Sequence, residues 1–340
     1  AASVFMAGIS GSAVADAAAL TSTLVPEMKR RGYTATYAAA LTAASSVIGP
    51  IIPPSIVMIF YGALMNVSVA ALFAGGILPG LLVALALFVL NGVMAHRHGH
   101  PGGADLDIPP VGRTLLRAIP ALFVPVIIVA SIVFGVVTPT EAAALAVVAS
   151  TAIAFFYRVF DRDAAAASPL AALIRDVKDG LARTAVLTGS IFMILFAAAI
   201  FGYLAAIQDL PQALNDLVQS AGIEGLGYLL LINLVFFLAG MFMDVVMALV
   251  LLVPLLVPAA IASGADPVHV GVLSCLNLTI GLVSPPFGGC LMVVSATSGV
   301  NYMRLALAIL PFIAVEAAVL IVLILFPDLT LSIPTALGLI

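Results

Sequence analysis

"GPIIPPS", Gly49 to Ser55, interrupts a stretch from Ala35 to Leu64 that is otherwise apolar enough to be a membrane helix. "GLVSPPF", Gly281 to Phe287, interrupts a second stretch in the same way. A Pro pair in a helix interior removes backbone hydrogen bonds and clashes with the preceding turn. A chain that breaks two apolar segments alike is therefore not a bundle of plain spans, and the purpose of the breaks decides the fold.

The surroundings of the breaks are those of a lipid-embedded chain. Hydrophobic residues make up 64% and charged residues 8% of the 340, against roughly 25% charged in soluble domains. Apolar spans fall at Thr36–Leu64, Val69–Met94, Ile119–Val137, Glu141–Tyr157, Thr184–Ala206 and Met303–Phe326, with interrupted stretches at Gly227–Pro258 and Val268–Thr297. Cys275 and Cys290 lack metal or redox spacing and read as packing residues. The opening "AASVFMAGIS" has no initiator Met and no basic leader, so the natural N-terminus is expected upstream.

Lys and Arg sort between the loops. Lys29, Arg30 and Arg31 mark one loop, Arg97, Arg113 and Arg117 a second, and Arg158, Arg162, Arg175, Lys178 and Arg183 a third; all three are expected to face the cytoplasm. The loop with Asp209, Asp216 and Glu224 carries no Lys or Arg and faces out. This holds together if Gly227–Pro258 does not cross. Its halves, Gly227–Ala239 and Val245–Pro258, are about 13 to 14 residues or roughly 20 Å of helix, short of the ~30 Å core. The expectation is a re-entrant hairpin with its tip at "GMFMD", Gly240 to Asp244.

An internal repeat sharpens the reading. Shifting the chain by 232 positions aligns Gly8 with Gly240, Pro26 with Pro258, Gly32 with Gly264, Gly49 with Gly281 and Pro53-Pro54 with Pro285-Pro286, without a gap. An odd number of crossings separates the copies, so the repeats are inverted. "SVFMAGISGS" then reads as the end and tip of a first hairpin. The expected fold class is an all-α polytopic membrane protein with inverted-topology repeats, re-entrant hairpins and broken helices, of the elevator transporter type. Residues 1–68 hold the first hairpin remnant and broken helix, 69–206 scaffold spans and linking loops, 207–300 the second hairpin and broken helix, and 301–340 a last scaffold span and tail.

A broken helix frees carbonyls on one side, which can coordinate a small cation, and N–H groups on the other, which can meet an anion. The Gly-x-x-x-Pro-Pro segments thus read as paired ion sites. Facing the first break is the tip "GISGS" with Ser10 and Ser12, and facing the second is Asp244, either beside a cation or capping its own half-helix. Asp16, one turn past the first tip, reads as a cavity-lining group or a structural partner. Ser45 and Ser46 before the first break, and Asn277 and Thr279 before the second, offer side-chain oxygens; Ser12, Asp16, Ser45 and Asn277 are the candidate substrate contacts. Glu141 in "TPTEAA" reads as a helix-start residue, "HRHGH" at His96–His100 as a solvated loop, and Glu316 is left unassigned.

At "GISGSAVADAAAL", "VPEMKRRGY", "LTAASSVIGPIIPPSIVMIFYG", "TPTEAAALAV", "GMFMDVVMALVLLVPLLVPAAIASGADPVHVGV" and "NLTIGLVSPPFGGCLMV" the sequence resembles the large membrane subunit of tripartite ATP-independent periplasmic (TRAP) transporters, the DctM-like family. The resemblance runs from Gly8 to about Pro311. It implies a sodium-driven importer of an organic acid, a C4-dicarboxylate or sialic-acid-like carboxylate, and not an enzyme. It further implies a bacterial inner-membrane location, a DctQ-like small membrane subunit and a DctP-like periplasmic binding protein, with no nucleic acid and no organic cofactor.

Carried over, the first Na+ site takes Ser10 and Ser12 with carbonyls around Gly49, Ile51 and Pro54. The second takes Gly240 and Asp244 with carbonyls around Gly281, Val283 and Pro286. The competing readings are an inverted-repeat carrier of anions that works without a binding protein, a channel, for which a continuous polar lining is missing, and an intramembrane enzyme, for which no catalytic pair or metal cluster appears.

Overall fold

The structure, a computed structural model, describes residues 2–97, 99–100, 111–160, 169–210, 212–213, 216, 220, 222–223 and 225–340. Among these, five helices are long and apolar enough to cross a membrane by length and composition. The chain is an all-α polytopic membrane protein. Two compact units are formed, one from residues 1–106 and 205–340, the other from 107–204. Arg162 and Glu224 lie outside the described residues, as do the side chains of Arg113, Arg117 and Arg158.

The larger unit opens with α1 (Ala2–Ser10) and α2 (Ala13–Arg30), then α3 (Ala35–Ser45), which tightens into a 3-10 turn at Ser46–Ile48 before the first break. Beyond the break come α4 (Ile56–Met65) and the long α5 (Val69–Arg97). The second copy is α9 (Leu226–Phe242), α10 (Val245–Ala262), α11 (Pro267–Leu282), the second break, α12 (Gly289–Ser298) and α13 (Tyr302–Leu325), followed by α14 (Asp328–Ala336). The bounds of α10 are those of α2 displaced by the same 232 positions, and α11 starts at the mate of the first residue of α3. The local chemistry repeats as well. Ser12 and Asp244 are N-caps, Thr34 and Asp266 are N-caps, and Gly32 (φ 88°) and Gly264 (φ 97°) both turn the chain in the left-handed region.

The hairpin is real, but its arms are not short. At 17 and 18 residues they reach roughly 25 to 27 Å, so length alone does not stop them crossing. What shows the reversal is Tyr228, at the start of α9, donating its hydroxyl to the Leu256 carbonyl near the end of α10 at 2.9 Å. The tip also differs from expectation, because α9 continues helically through Gly240 to Phe242 and only Met243 and Asp244 leave the helix. Gly240 serves close packing, as described below, and not chain reversal.

Helix α5 measures the direction of each repeat. Tyr37, in the first turn of α3, donates to Asn91 Oδ1 at 2.8 Å near the far end of α5, and the Ile51 carbonyl of the first break lies against Gly76 near its start. Helix α11 begins at the opposite end, with Val268 and Val272 against Gly75 and Gly271 against Leu72. The two broken helices therefore enter from opposite ends of α5, about 24 Å apart, and the repeats are inverted. The swapped packing of α2 on α12 and of α10 on α4 is the same two-fold relation seen between helices.

Loop sides follow. His100, beyond α5, stacks on Tyr33 at 4.7 Å and meets Tyr37 at a tilt at 4.6 Å, so the end of α5 shares a side with the Lys29–Arg31 loop. His100 is thus packed rather than solvated; His98 lies outside the described residues. Ala35, Thr36, Asn301 and Arg304 line one cavity, which puts the start of α13 on that side too. Helices α5 and α13, read from sequence as scaffold spans, pack with the hairpins and broken helices in one unit.

The smaller unit holds α6 (Val111–Val133), α7 (Pro139–Phe160) and most of α8 (Pro169–Ile207). Glu141 closes a capping box, accepting from the Thr138 N–H at 2.8 Å while its own N–H donates to Thr138 Oγ1 at 3.3 Å, as a helix-start residue should. Helix α8 starts well before the expected Thr184, and places Arg175, Lys178 and Arg183 on helix rather than loop. That stretch holds good helix formers and, after Pro169, no proline to stop it.

Candidate functional site

The first site is assembled from the hairpin tip, α2 and the first break. Gly11, at φ 59°, is pressed so close to the Pro54 carbonyl that a Cβ there would stand 2.6 Å from it. Only glycine accommodates both that conformation and that approach. Ser12 caps α2 by accepting from the Ala15 N–H, and the Ser12 N–H in turn donates to Ser10 Oγ at 3.3 Å. Ser10 Oγ donates to Asp16 Oδ1 at 2.5 Å.

Asp16 is the central group. It is 1% exposed, and its second oxygen, Oδ2, has no hydrogen-bond partner. That oxygen lies directly over Gly49, where a Cβ would collide with it. A buried carboxylate oxygen aimed at the mouth of a broken helix suits a small cation, which would balance the charge and satisfy the lone pair. Sequence reading gave Asp16 a lesser role. The signal was available in its position one turn after Ser12, but only the fold shows that it spans tip and break together.

The carbonyls of the first break do not all face this point. Pro54 faces the tip at Gly11, whereas Ile51 turns its carbonyl to Gly76 on α5, and Pro50 accepts from the Ser55 hydroxyl. Ser45 binds the hairpin arm: Ser3 Oγ donates to Ser45 Oγ at 2.8 Å, and Ser45 Oγ donates to the Thr42 carbonyl.

The second site is built on backbone contact. Gly240 and Gly281 let α9 and α11 touch, since a Cβ on either would lie within 2.8 Å of the other segment's backbone. The Gly288 N–H donates to the Met241 carbonyl at 3.2 Å, tying the break to the tip. Asp244 is exposed and caps α10, with Oδ1 accepting from Val246 N–H at 2.9 Å. Val283 is buried as the C-cap of α11, and the Pro286 carbonyl accepts from the Tyr302 hydroxyl at 2.8 Å. Both Pro-Pro bonds, 53–54 and 285–286, are cis.

Asn277 is buried and donates to Asn233 Oδ1 at 2.9 Å on the first hairpin arm. It is the repeat mate of Ser45, and both residues lock their broken helix to the first arm of their own hairpin. Ser46 and Thr279 donate to carbonyls of their own helices. Sequence reading missed Asn233, Ser3 and Tyr302; a lone Asn within the apolar arm of α9 was the one usable signal.

A profile of the family described as "Tripartite ATP-independent periplasmic transporter, DctM component" matches residues 1–329. The chain is 37% identical over 338 residues to the sialic acid TRAP transporter large permease protein SiaM of Vibrio cholerae, covering 98% of this chain and 75% of that protein. It is 35% identical over 320 residues to the isethionate TRAP transporter permease protein DctMQ of Oleidesulfovibrio alaskensis, covering 94% of this chain and 49% of that one. With the C4-dicarboxylate TRAP transporter large permease protein DctM of Vibrio cholerae it shares 33% identity over 343 residues, 98% of this chain and 76% of the relative. Paired hairpins set against paired breaks, together with similarity along the whole chain, lead to one conclusion: the chain belongs to the DctM component family of tripartite ATP-independent periplasmic transporters.

Proposed function

We propose that the chain is the sodium-coupled membrane permease for an organic acid of the C4-dicarboxylate or sialic-acid-like class. On this reading, it works in a bacterial inner membrane with a small membrane subunit and a periplasmic binding protein. The observation that carries the reading is Asp16, buried with one oxygen unsatisfied over the Gly49 break. Na+ is cargo here, held at Ser10, Asp16 and the Pro54 side of the first break, and at Asp244 by the second.

The substrate carboxylate meets the N–H-bearing halves of the breaks, α4 and α12, whose N-termini carry partial positive charge. The hairpins and broken helices move as one elevator unit, carrying both ions with the acid. The names of the relatives support an anionic substrate: sialic acid, isethionate and C4-dicarboxylates are all organic acids.

The experiment is uptake by the full-length subunit, reconstituted with its small subunit and binding protein, with candidate acids inside an imposed sodium gradient. Accumulation that requires both the gradient and the binding protein is expected. Uptake unchanged when choline replaces sodium would overturn the coupling, and uptake without the binding protein would favour a self-sufficient carrier.

A further inference from the structure

Between α5 and α13 runs an open groove of about 610 Å³, walled by Leu82, Ala86, Val89 and Val93 on one side and by Val315, Val319 and Val322 on the other. Every side chain that lines it is apolar, and Val89, Val93 and Val322 are exposed. On α5 the stripe follows the helical repeat, and one further turn along it stands Arg97, the last residue of the helix. Arg97 is exposed. Among the described residues the ion pairs join Arg30 and Arg31 to Glu27, and none involves Arg97. This end of α5 lies on the side of the Lys29–Arg31 loop and of the start of α13.

Depth selects the kind of occupant. From Leu82 to Val93 α5 rises roughly 16 Å, about one leaflet of a hydrocarbon core ~30 Å thick. Towards the start of α5 the track closes, because Ala71–Gly76, Pro79 and Gly80 are buried under the first break, α11 and α14. A partner helix crossing the membrane along α5 would lose its contact there, whereas an acyl chain ends at the midplane. Charge then selects among lipids. Hydrocarbon tails are as apolar as Leu, so the groove by itself prefers no lipid over another. A guanidinium at its mouth does discriminate, since it binds phosphate through fixed donors and a zwitterionic headgroup would bring an ammonium beside it.

We propose that the groove between α5 and α13 is a binding site for an anionic phospholipid of the leaflet on the Lys29–Arg31 side, with one acyl chain along Leu82–Val93 and the phosphate on Arg97. A lipid so seated joins α5, which backs the first break through Gly76 and Gly80, to the last long helix of the same unit. Its binding requires neither sodium nor the transported acid, so it stands or falls independently of the coupling proposed above.

The test places the photoreactive residue benzoylphenylalanine at Val89 of the full-length subunit, held with its small subunit in vesicles of equal phosphatidylglycerol and phosphatidylcholine, and identifies adducts by mass spectrometry. The comparison position is Leu310, exposed on α13 at a similar depth and outside the groove. At Val89 phosphatidylglycerol adducts are expected to exceed phosphatidylcholine adducts about fivefold, which is what one basic residue near the surface contributes; at Leu310 the two should be equal. Arg97→Gln should bring the ratio at Val89 down to that at Leu310, and Arg97→Lys, which keeps the charge, should retain most of it. Equal adducts or no lipid adduct at Val89, or an excess that persists in Arg97→Gln, overturns the proposal. A predominant adduct with the small subunit or with a second copy of the chain also overturns it and gives the groove to a protein. Should the chain fail to insert with the probe at Val89, Val322 on the opposite wall carries it, and the same outcomes decide.

Discussion

Asp244 is the repeat mate of Ser12, and Asp16 lies one turn beyond Ser12; the two aspartates have different environments, and the difference predicts unequal effects. Asp16 is buried between tip and break, whereas Asp244 is exposed and caps its helix. Asn caps a helix about as well as Asp, so Asp244→Asn isolates charge from capping. We expect Asp16→Asn to raise half-saturating sodium for uptake ten- to a hundredfold, the equivalent of about 1.5 to 3 kcal/mol for a lost buried charge-assisted contact. Asp244→Asn is expected to raise it less, because water screens an exposed charge. Equal half-saturating sodium in Asp16→Asn and wild type, at normal expression, would remove Asp16 from the ion path. Gly49→Ala tests the same point without touching charge: the added methyl meets Asp16 Oδ2 and must displace it. Sodium-dependent uptake should fall while the folded fraction in detergent is lowered by no more than the ~1 to 3 kcal/mol of an overpacked site.

Each broken helix is joined to its hairpin by a polar lock, Ser3–Ser45 in one repeat and Asn233–Asn277 in the other. In an apolar core such a lock fixes the register of two smooth helices. Removing one partner leaves the other unsatisfied, at about 1 to 3 kcal/mol. Asn277→Ala should therefore lower the thermal midpoint of the purified subunit, and Asn233→Ala combined with Asn277→Ala should cost less than the two singles summed. Strict additivity would show that the two amides do not act as a pair. Tyr228→Phe, which removes the bond that closes the second hairpin, is a smaller change of about 0.5 to 1.5 kcal/mol. Its effect should appear as faster amide exchange at the open ends of α9 and α10.

At the scale of the molecule the inverted repeat fixes which loops share a side. The Lys29–Arg31 loop lies at the His100 end of α5 and the Ser263–Asp266 loop leads into α11 at the other end. In intact cells, a cysteine replacing Ser263 should react with a membrane-impermeant maleimide, and one replacing Arg31 should react only after permeabilisation. Cys275 and Cys290 are fully buried, so the background is low without their removal. Labelling of both positions from one side would contradict the opposed entry of α3 and α11.

Much of this was legible in the chain alone. Composition excluded a soluble fold, and the matched Pro pairs at 53–54 and 285–286 revealed the repeat, because proline is a local restraint that acts wherever it stands. The turn glycines Gly32 and Gly264 were likewise visible as mates in the repeat, whereas the caps at Ser12 and Asp266 emerged with the helix bounds. Three-dimensional packing decided the rest. That Gly240 stays helical depends on Gly281 touching it, and that Ile51 turns its carbonyl from the tip depends on Gly76. That Asp16 keeps an unsatisfied oxygen over Gly49, and that Glu316 is sealed among apolar side chains, are properties of segments distant in sequence. Burial and close approach belong to pairs of elements, and no single stretch of sequence carries them.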